Sequence, residues 1–339
     1  MVALVGPPRR PVPASAPSRS MAAGSSYDNG RMTPQPPVQL THLPAGEGPA
    51  VAIHGGAGVD PASLSPEQAA AATAALSAAV AAGRAVLDEG GAALDAVCAS
   101  VRVLEDSECF NAGRGAALTV EGTAELDACV MTGDSRSGAV TCANGPRNPV
   151  MAARAVMEQT DHVLMAAPAA ALLEQWGLEV VSPDYYVTEA RRRMLEETSS
   201  FLEYKHGTVG AVARDRSGRV AAATSTGGIT AQLPGRVGDT PLVGCGTWAD
   251  DATVAVSCTG QGELFVRGAV AHEIHARLRW GGQDLATAVR ETIDELVGAR
   301  GADGGLIAVT PAGEVVLAFN SPGMYRGHDV GTGPVTAIG

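Results

Sequence analysis

Aromatic residues and positive charges are scarce in this chain of 339 residues. Phe, Trp and Tyr make up 4% of it, whereas 45% is hydrophobic and 42 residues are glycine. This composition predicts a core of Ala, Val and Leu joined by many tight turns. With 24 Lys and Arg against 36 Asp and Glu, the formal charge is -12. Because nucleic acids and anionic membranes attract positive surfaces, this charge disfavours both as partners and favours a small-molecule ligand.

Long apolar runs and paired cysteines are also missing. We find no apolar stretch of the roughly 18 residues that a membrane span needs. The first ten residues lack the charged-then-apolar order of a signal peptide, so we expect a cytoplasmic protein. No C-x-x-C pair occurs, and each cysteine stands among apolar or small residues, which predicts buried thiols without disulfides or zinc. The six cysteines are Cys98, Cys109, Cys129, Cys142, Cys245 and Cys258.

The first 48 residues differ in composition from the rest. Ten of the 21 prolines lie between Pro7 and Pro49, mixed with Ser, Ala and Gly. Such a segment cannot bury enough apolar surface to fold. We therefore expect residues 1–48 to be a disordered extension and residues 49–339 to form a single domain.

Helices and strands alternate after residue 49, which suits sheets covered by helices. Ser65, Pro66 and Gln68 supply an N-cap, a first-turn proline and a capping box for a helix that runs to about Glu89. Further along we predict a helix from Pro149 to Gln159, an exposed polar connector over 182–206, a hairpin of 208–214 with 219–224, one helix from about Glu263 to Trp280, and a closing hairpin of 306–310 with 314–319.

The candidate nucleophile is Thr208, where the polar connector meets an apolar strand. Taken alone, the segment Lys205 to Gly210 also fits an ordinary loop-to-strand boundary. A threonine hydroxyl is a weak nucleophile inside a chain, because its own nitrogen is an amide. Cleavage before Thr208 would release an α-amine with a pKa of about 7.7 to 8, which could serve as general base. Gly207 suits the cleavage because glycine tolerates strained backbone.

Three later blocks place a hydroxyl or a charge beside glycine near a strand end. They are Thr224-Ser225-Thr226-Gly227-Gly228, Leu233-Pro234-Gly235-Arg236-Val237-Gly238-Asp239 and Ser257-Cys258-Thr259-Gly260-Gln261-Gly262-Glu263. Backbone amides are free at strand ends, and side chains there can converge on a pocket.

With these blocks, the sequence resembles the plant-type asparaginase and isoaspartyl peptidase family of N-terminal nucleophile hydrolases. The resemblance also includes His54-Gly55-Gly56-Ala57-Gly58, Phe110-Asn111-Ala112-Gly113, Glu125-Leu126-Asp127-Ala128, Arg147-Asn148-Pro149-Val150 and Met324-Tyr325-Arg326. It implies an α+β fold, a four-layer αββα sandwich, cleaved into 1–207 and 208–339. Two such cleaved pairs are expected to form a dimer of heterodimers.

The resemblance also assigns roles to individual residues. Thr226 would orient the nucleophile, while the Thr259 hydroxyl and the Gly260 amide would form the oxyanion hole. Arg236 and Asp239 would hold the α-carboxylate and α-ammonium of the substrate, with Gly260 beside them. Asn111 would reach the active site, whereas His54 is expected to serve packing and turn geometry.

No cofactor is expected for catalysis, but the resemblance implies a structural sodium ion. Its ligands would be main-chain oxygens, which leave no side-chain signature. Here Asp106-Ser107-Glu108-Cys109 departs from the more usual Glu-Cys-Pro-Leu of the family. The six residues concerned are Leu104, Glu105, Ser107, Phe110, Ala112 and Arg114.

The activity implied is hydrolysis of L-asparagine, β-aspartyl dipeptides, or both, through a threonine acyl-enzyme. Three alternatives stay open: an uncleaved scaffold or binding protein, a glycosylasparaginase-like amidase, and a threonine endoprotease. The sequence around Gly207-Thr208-Val209 disfavours the second, and the pair Arg236 and Asp239 disfavours the third. The pair His272 and His275 has the wrong spacing for an H-E-x-x-H zinc site, so we expect surface residues there.

Overall fold

The computed structural model describes residues 36–198 and 207–339. In these parts of the chain, strands and helices alternate as the sequence predicts. The strands are β1 (Gln39–Leu43), β2 (Ala50–Ala57), β3 (Leu126–Thr132), β4 (Ser137–Ala143), β5 (Leu164–Ala166), β6 (Val209–Arg214), β7 (Val220–Thr226), β8 (Thr247–Ala249), β9 (Ala255–Gly260), β10 (Gly304–Val309), β11 (Val315–Phe319), β12 (Met324–Asp329) and β13 (Val335–Ile338). The helices are α1 (Pro66–Asp88), α2 (Ala93–Glu105), α3 (Pro149–Gln159), α4 (Ala170–Gln175), α5 (Glu189–Glu197), α6 (Gly262–Gly268), α7 (Val270–Arg279) and α8 (Leu285–Leu296).

The strands form two sheets. The larger sheet has the order β13-β12-β2-β6-β7-β3-β4-β5, and the smaller has the order β1-β11-β10-β9-β8. The predicted hairpin is β6 with β7, and it lies at the centre of the larger sheet, between β2 and β3. Thr208 therefore stands at the start of a central strand.

Three apolar clusters hold the sheets and helices together. One joins α1, α2 and α3 to the larger sheet, with Leu76 and Val97 among its buried members. A second joins α7 and α8 to the smaller sheet, with Ile274 as a member. The third contains residues of both sheets, including Val212 and Ile307. Ala and Val dominate these clusters, as the low aromatic content predicts.

Helix α1 begins as the sequence indicates. Ser65 Oγ accepts from the Gln68 amide, and the Gln68 side chain accepts from the Ser65 amide, so the capping box is confirmed. By length and hydropathy, α1 also meets the criterion for a membrane-spanning helix, which corrects our statement that no apolar stretch is long enough. Alanine raises its hydropathy, while Leu76 and Val80 on one side are fully buried against the rest of the protein.

The expected disordered extension extends too far toward the C-terminus. Residues 39–43 form β1, which pairs antiparallel with β11 from Gln39↔Phe319 to Leu43↔Val315. Strand β1 lies at the edge of the smaller sheet, where its exposed backbone groups pair with β11. Its own alternation of apolar and polar residues is weak, and the nearby prolines obscure it. Residues 1–35 lie outside the described structure, so that part of the prediction stays a prediction.

The single helix predicted from Glu263 to Trp280 is wrong, because α6 and α7 are separate. Ala269 between them has a left-handed backbone, with φ of 45°. The first amides of α7 donate elsewhere: Ala271 N bonds to Cys245 O at 3.1 Å and His272 N to Gly244 O at 2.9 Å. These contacts with a distant loop redirect the chain, which the local pattern could not indicate.

Two expectations about burial are also wrong. His275 is buried, with Nδ1 2.6 Å from Thr253 Oγ1, because its side of α7 packs towards the smaller sheet. Cys109 is exposed, since it lies in the turn after α2. The prediction of buried thiols is confirmed for Cys98, Cys129 and Cys258, while Cys142 and Cys245 are partly buried. The polar connector contains α5, and residues 199–206 of it lie outside the described structure.

Candidate active site

The carbonyl group of Gly207, which precedes Thr208, is held by two side-chain donors. Asn111 Nδ2 donates to its oxygen at 2.8 Å, and Thr226 Oγ1 donates to it at 3.0 Å. Asn111 is itself fixed, because its Oδ1 accepts from the Ala117 amide at 2.6 Å. Two donors on one carbonyl polarise it and stabilise negative charge on its oxygen. The Gly207 oxygen therefore lies where developing negative charge would be stabilised.

The Thr208 hydroxyl lies beside the same carbonyl group. Its Oγ1 donates to Thr226 Oγ1 at 3.3 Å, and both threonines are buried. The two meet because β6 and β7 are antiparallel neighbours, with Val209 opposite Ser225, so the start of one strand faces the end of the other. The hairpin thus brings the sequence-predicted nucleophile and its predicted orienting residue together.

Glycine at position 56 makes room for the Gly207–Thr208 bond. Gly56 has φ of +111°, and a Cβ there would lie 3.0 Å from Gly207 Cα and 3.3 Å from Thr208 N. Any side chain would press on the bond and would also strain the backbone. The His54-Gly55-Gly56 segment therefore forms one wall of the site.

His54 contacts the nucleophile residue, which sequence reasoning missed. The ring is fully buried, with Nδ1 2.9 Å from Thr208 O and Nε2 2.9 Å from Ser257 Oγ. A carbonyl oxygen only accepts, so Nδ1 carries the hydrogen and Nε2 accepts from Ser257. Ser257 continues to Thr224, with 2.7 Å between the two hydroxyl oxygens. Burial lowers the pKa of His54 to about 3, so the ring is neutral and its tautomer is fixed.

Thr259 and Gly260 end strand β9 near the wall formed by Gly56. Thr259 Oγ1 accepts from the Ala57 amide at 3.3 Å. Gly260 has φ of +154°, and a Cβ there would lie 2.9 Å from Gly304 Cα. No hydrogen bond joins either residue to Thr208 in the described parts of the chain. The predicted oxyanion-hole role of this pair stays a prediction.

Arg236 and Asp239 lie close to each other, and Glu263 lies close to both. Arg236 is forked onto Glu263, with Nε and one terminal nitrogen each 3.0 Å from a carboxylate oxygen. A Cβ on Gly262 would lie 2.9 Å from that terminal nitrogen and 3.0 Å from Asp239 Oδ1. Glycine at this position therefore leaves room for both side chains. Asp239 Oδ2 is buried without a hydrogen-bond partner in the described residues. Burial raises the pKa of Asp239 to about 7, although Arg236 lowers it.

Sequence reasoning missed Glu263. The available signal was its position in the first turn of α6, as the last residue of the block that contains Thr259. A carboxylate there can orient the guanidinium of Arg236 and leave its remaining donors for a ligand.

The loop predicted to hold a sodium ion is closed around two glycines. A Cβ on Gly115 would lie 2.9 Å from Glu108 O and 3.0 Å from Phe110 O, and one on Gly113 would lie 2.5 Å from Glu105 O. Glu105 O already accepts from the Arg114 amide at 2.7 Å. The sodium ion proposed for this loop stays a prediction. The described residues contain no cluster of three His, Cys, Asp or Glu side chains for a metal.

Comparison with known proteins identifies the family of this chain. The sequence profile of the asparaginase family matches residues 47–336. An isoaspartyl peptidase from Salmonella typhimurium is 48% identical over 305 residues, covering 85% of this chain and 97% of that protein. An isoaspartyl peptidase from Escherichia coli is 47% identical over 305 residues, covering 85% and 95%. A plant-type L-asparaginase from Pyrobaculum calidifontis is 39% identical over 288 residues, covering 81% and 95%.

These matches, together with a mixed fold of two sheets and helices, identify an enzyme of the hydrolase class. The chain belongs to the asparaginase family, so the resemblance seen in its motifs is confirmed.

Proposed function

We propose that this chain is a self-cleaving amidohydrolase that acts on L-asparagine, β-aspartyl dipeptides, or both, through Thr208. The observation that carries the proposal is the Gly207 carbonyl, which accepts hydrogen bonds from Asn111 and Thr226 while the Thr208 hydroxyl lies beside it. The names of the relatives, isoaspartyl peptidase and L-asparaginase, indicate the substrates.

Self-cleavage would begin at this carbonyl. Thr208 Oγ attacks the Gly207 carbonyl carbon, the C–N bond between the two residues breaks, and the hydroxyl proton passes to the departing nitrogen. Water then hydrolyses the ester, which leaves a carboxylate on Gly207 and an amine on Thr208. Negative charge develops on the Gly207 oxygen, where Asn111 and Thr226 donate.

Substrate hydrolysis would use the new amine as base. It takes the proton from the Thr208 hydroxyl, whose oxygen attacks the side-chain carbonyl carbon of the substrate. The amine or ammonia leaves with that proton, and water attacks the acyl-enzyme to release aspartate. Arg236 and Asp239 would hold the amino-acid head, and the donors for the oxyanion would be Thr259 Oγ1 and the Gly260 amide.

The same proposal covers the assembly and the ion. Three apolar clusters, one shared by both sheets, support a four-layer αββα sandwich of subunits 1–207 and 208–339. We propose a dimer of such pairs in the cytoplasm, with no cofactor for catalysis. A sodium ion held by the carbonyls of 104–114 would keep Asn111, in the same loop, in position.

Thr208→Ala tests the proposal, with Thr208→Ser as its matched control because serine keeps a hydroxyl. On a denaturing gel, wild type and the serine variant should give two fragments, and N-terminal sequencing of the smaller should begin at residue 208. The alanine variant should stay one chain and hydrolyse neither asparagine nor β-Asp-Leu. Full turnover by an uncut chain would overturn the proposal, and so would fragments in the alanine variant.

A further inference from the structure

A cavity of about 490 Å³ opens beside Gly207. Its walls include the Gly55–Gly58 segment, Asn111, Tyr325 and Arg191 of helix α5. A volume of this size accommodates an amino-acid residue. The described structure therefore contains space next to the Gly207–Thr208 bond. The amino-acid head of a substrate, proposed to bind at Arg236 and Asp239, would not occupy it.

Arg191 supplies a cation in the wall of this cavity, which also contains the carboxylates of Asp60 and Asp303. Its Nε donates to Gly115 O, and a terminal nitrogen lies 3.6 Å from Met194 Sδ. Within residues 36–198 and 207–339, no carboxylate lies at ion-pair distance from it. Burial lowers the pKa of the guanidinium to about 10, so it stays charged at neutral pH. A partly buried cation that forms no ion pair with the described residues favours an anionic ligand.

The cavity beside Gly207 is separate from the surroundings of Arg236. A separate cavity beside Arg236 is lined by Ile229 and Glu263 and shares no lining residue with the first. Asn111 lines the first cavity, and its Nδ2 donates to Gly228 O, next to Ile229 in the wall of the second. A substrate whose head lies at Arg236 and whose amide reaches Thr208 would extend its leaving group toward Arg191.

We propose that Arg191 binds the α-carboxylate of the leaving amino acid of β-aspartyl dipeptides. This inference rests on the proposed function and adds a subsite on the leaving-group side. Asparagine releases ammonia and needs no such contact, so Arg191 selects dipeptides over asparagine. The guanidinium offers a planar fork that matches a carboxylate, while Gly115 O fixes its orientation.

Three substrates test the subsite: asparagine, β-Asp-Leu, and β-Asp-Leu with an amidated C-terminus. For wild-type protein, kcat/KM for β-Asp-Leu should exceed that for the amide by about 10- to 100-fold, the effect of one lost charged hydrogen bond. Arg191→Met should lower kcat/KM for β-Asp-Leu by the same factor and change that for asparagine by less than about 2-fold. Arg191→Lys should recover part of the loss, because it keeps the charge.

Arg193→Met is the matched control, because Arg193 lies on the same helix but is 65% exposed. It should leave all three rates unchanged. Every variant is compared after mass spectrometry confirms complete processing. If Arg191→Met is not processed, the subsite is tested by wild-type protein alone, through the ratio of kcat/KM for β-Asp-Leu to that for its amide.

Equal rates of wild type on β-Asp-Leu and its amide would overturn the subsite. An equal fall for asparagine and the dipeptide in Arg191→Met would assign Arg191 a structural role. If Arg191→Met left kcat/KM unchanged for both substrates, the subsite would also be overturned. The charge would then pair with another carboxylate, such as the one cleavage creates on Gly207. Processed wild type inactive on all substrates would instead overturn the proposed function.

Discussion

The buried side chains of His54 and Asp239 differ in their charge at neutral pH, and this difference decides how each can respond to pH. His54 is neutral because burial lowers its pKa to about 3. Asp239 titrates near neutral pH because burial raises its pKa to about 7. His54 can fix geometry without responding to pH, whereas Asp239, if it binds substrate as proposed, would make that binding respond to pH.

Asp239 predicts a pH dependence of KM. Only the ionised carboxylate attracts the α-ammonium of the substrate, so the competent fraction falls about tenfold for each pH unit below about 7. KM for asparagine should therefore rise as pH falls from 7 to 5. The α-amine of Thr208, as base, should act on kcat instead, so separate pH profiles of KM and kcat distinguish the two groups.

Asp239→Asn provides the control for that profile. It should raise KM at all pH values and flatten the dependence between pH 5 and 7. A flat KM in wild-type protein over this range would contradict the assignment of Asp239 to the ammonium group.

We expect different outcomes for the substitutions His54→Asn and His54→Gln. Asparagine places its amide nitrogen near the position of Nδ1 and can still donate to Thr208 O, whereas glutamine reaches the position of Nε2, near Ser257. We expect His54→Asn to keep cleavage and kcat within a few fold, and His54→Gln to lower both by about 10-fold, the effect of one lost hydrogen bond. The readouts are fragment formation over time and kcat against KM.

A purely structural His54 would give a different pattern. Both variants would then lose thermal stability alike, and kcat of the folded, processed fraction would match wild type. Melting curves measured alongside the kinetics decide between the two.

At the scale of elements, the contact between β6 and β9 depends on a glycine. A Cβ on Gly210 of β6 would lie 2.0 Å from Ser257 Oγ and 2.5 Å from His54 Nε2, between the two sheets. The missing side chain is what allows His54 to span the gap. Strand β6 thus begins directly after Thr208 and also leaves the space that His54 occupies.

Gly210→Ala should destabilise the protein by about 1 to 3 kcal/mol, because two buried side chains must move. Cleavage should slow as well, since His54 loses its place. Gly48→Ala is the control, because a Cβ there meets nothing within 4 Å. Urea unfolding of both variants measures the difference, and equal midpoints would show that the sheets adapt freely.

At the scale of the whole molecule, the proposed cut falls between elements that share one sheet. Strands β6 and β7 follow residue 208, yet they pair with β2 and β3, which precede it. Backbone hydrogen bonds and all three apolar clusters therefore cross between the fragments. Cleavage should leave the fold intact.

We accordingly expect fragments 1–207 and 208–339 to co-elute in size-exclusion chromatography and to separate only in denaturant. Fragments that are expressed apart and mixed should have little activity, because each lacks half of the larger sheet. Dissociation of the cleaved pair in native buffer would contradict the central position of β6 and β7.

The sequence by itself determined the family and the order of most elements, and it predicted the bond before Thr208 as the reacting bond. Local signals carry these, such as the capping box at Ser65 and the glycines around Thr208. Thr226 and Asn111 do converge on the Gly207 carbonyl, and the Thr208 hydroxyl donates to Thr226. Their catalytic roles stay predictions, as does the sodium loop.

Tertiary structure alone decided what depends on distant partners. Strand β1 exists through β11, α6 and α7 separate because α7 bonds to the loop at Gly244 and Cys245, and His54 and Glu263 gain their roles from Ser257 and Arg236. Local pattern encodes propensity and burial, but a hydrogen bond between residues 203 positions apart, such as that of His54 with Ser257, exists only once the two sheets have packed.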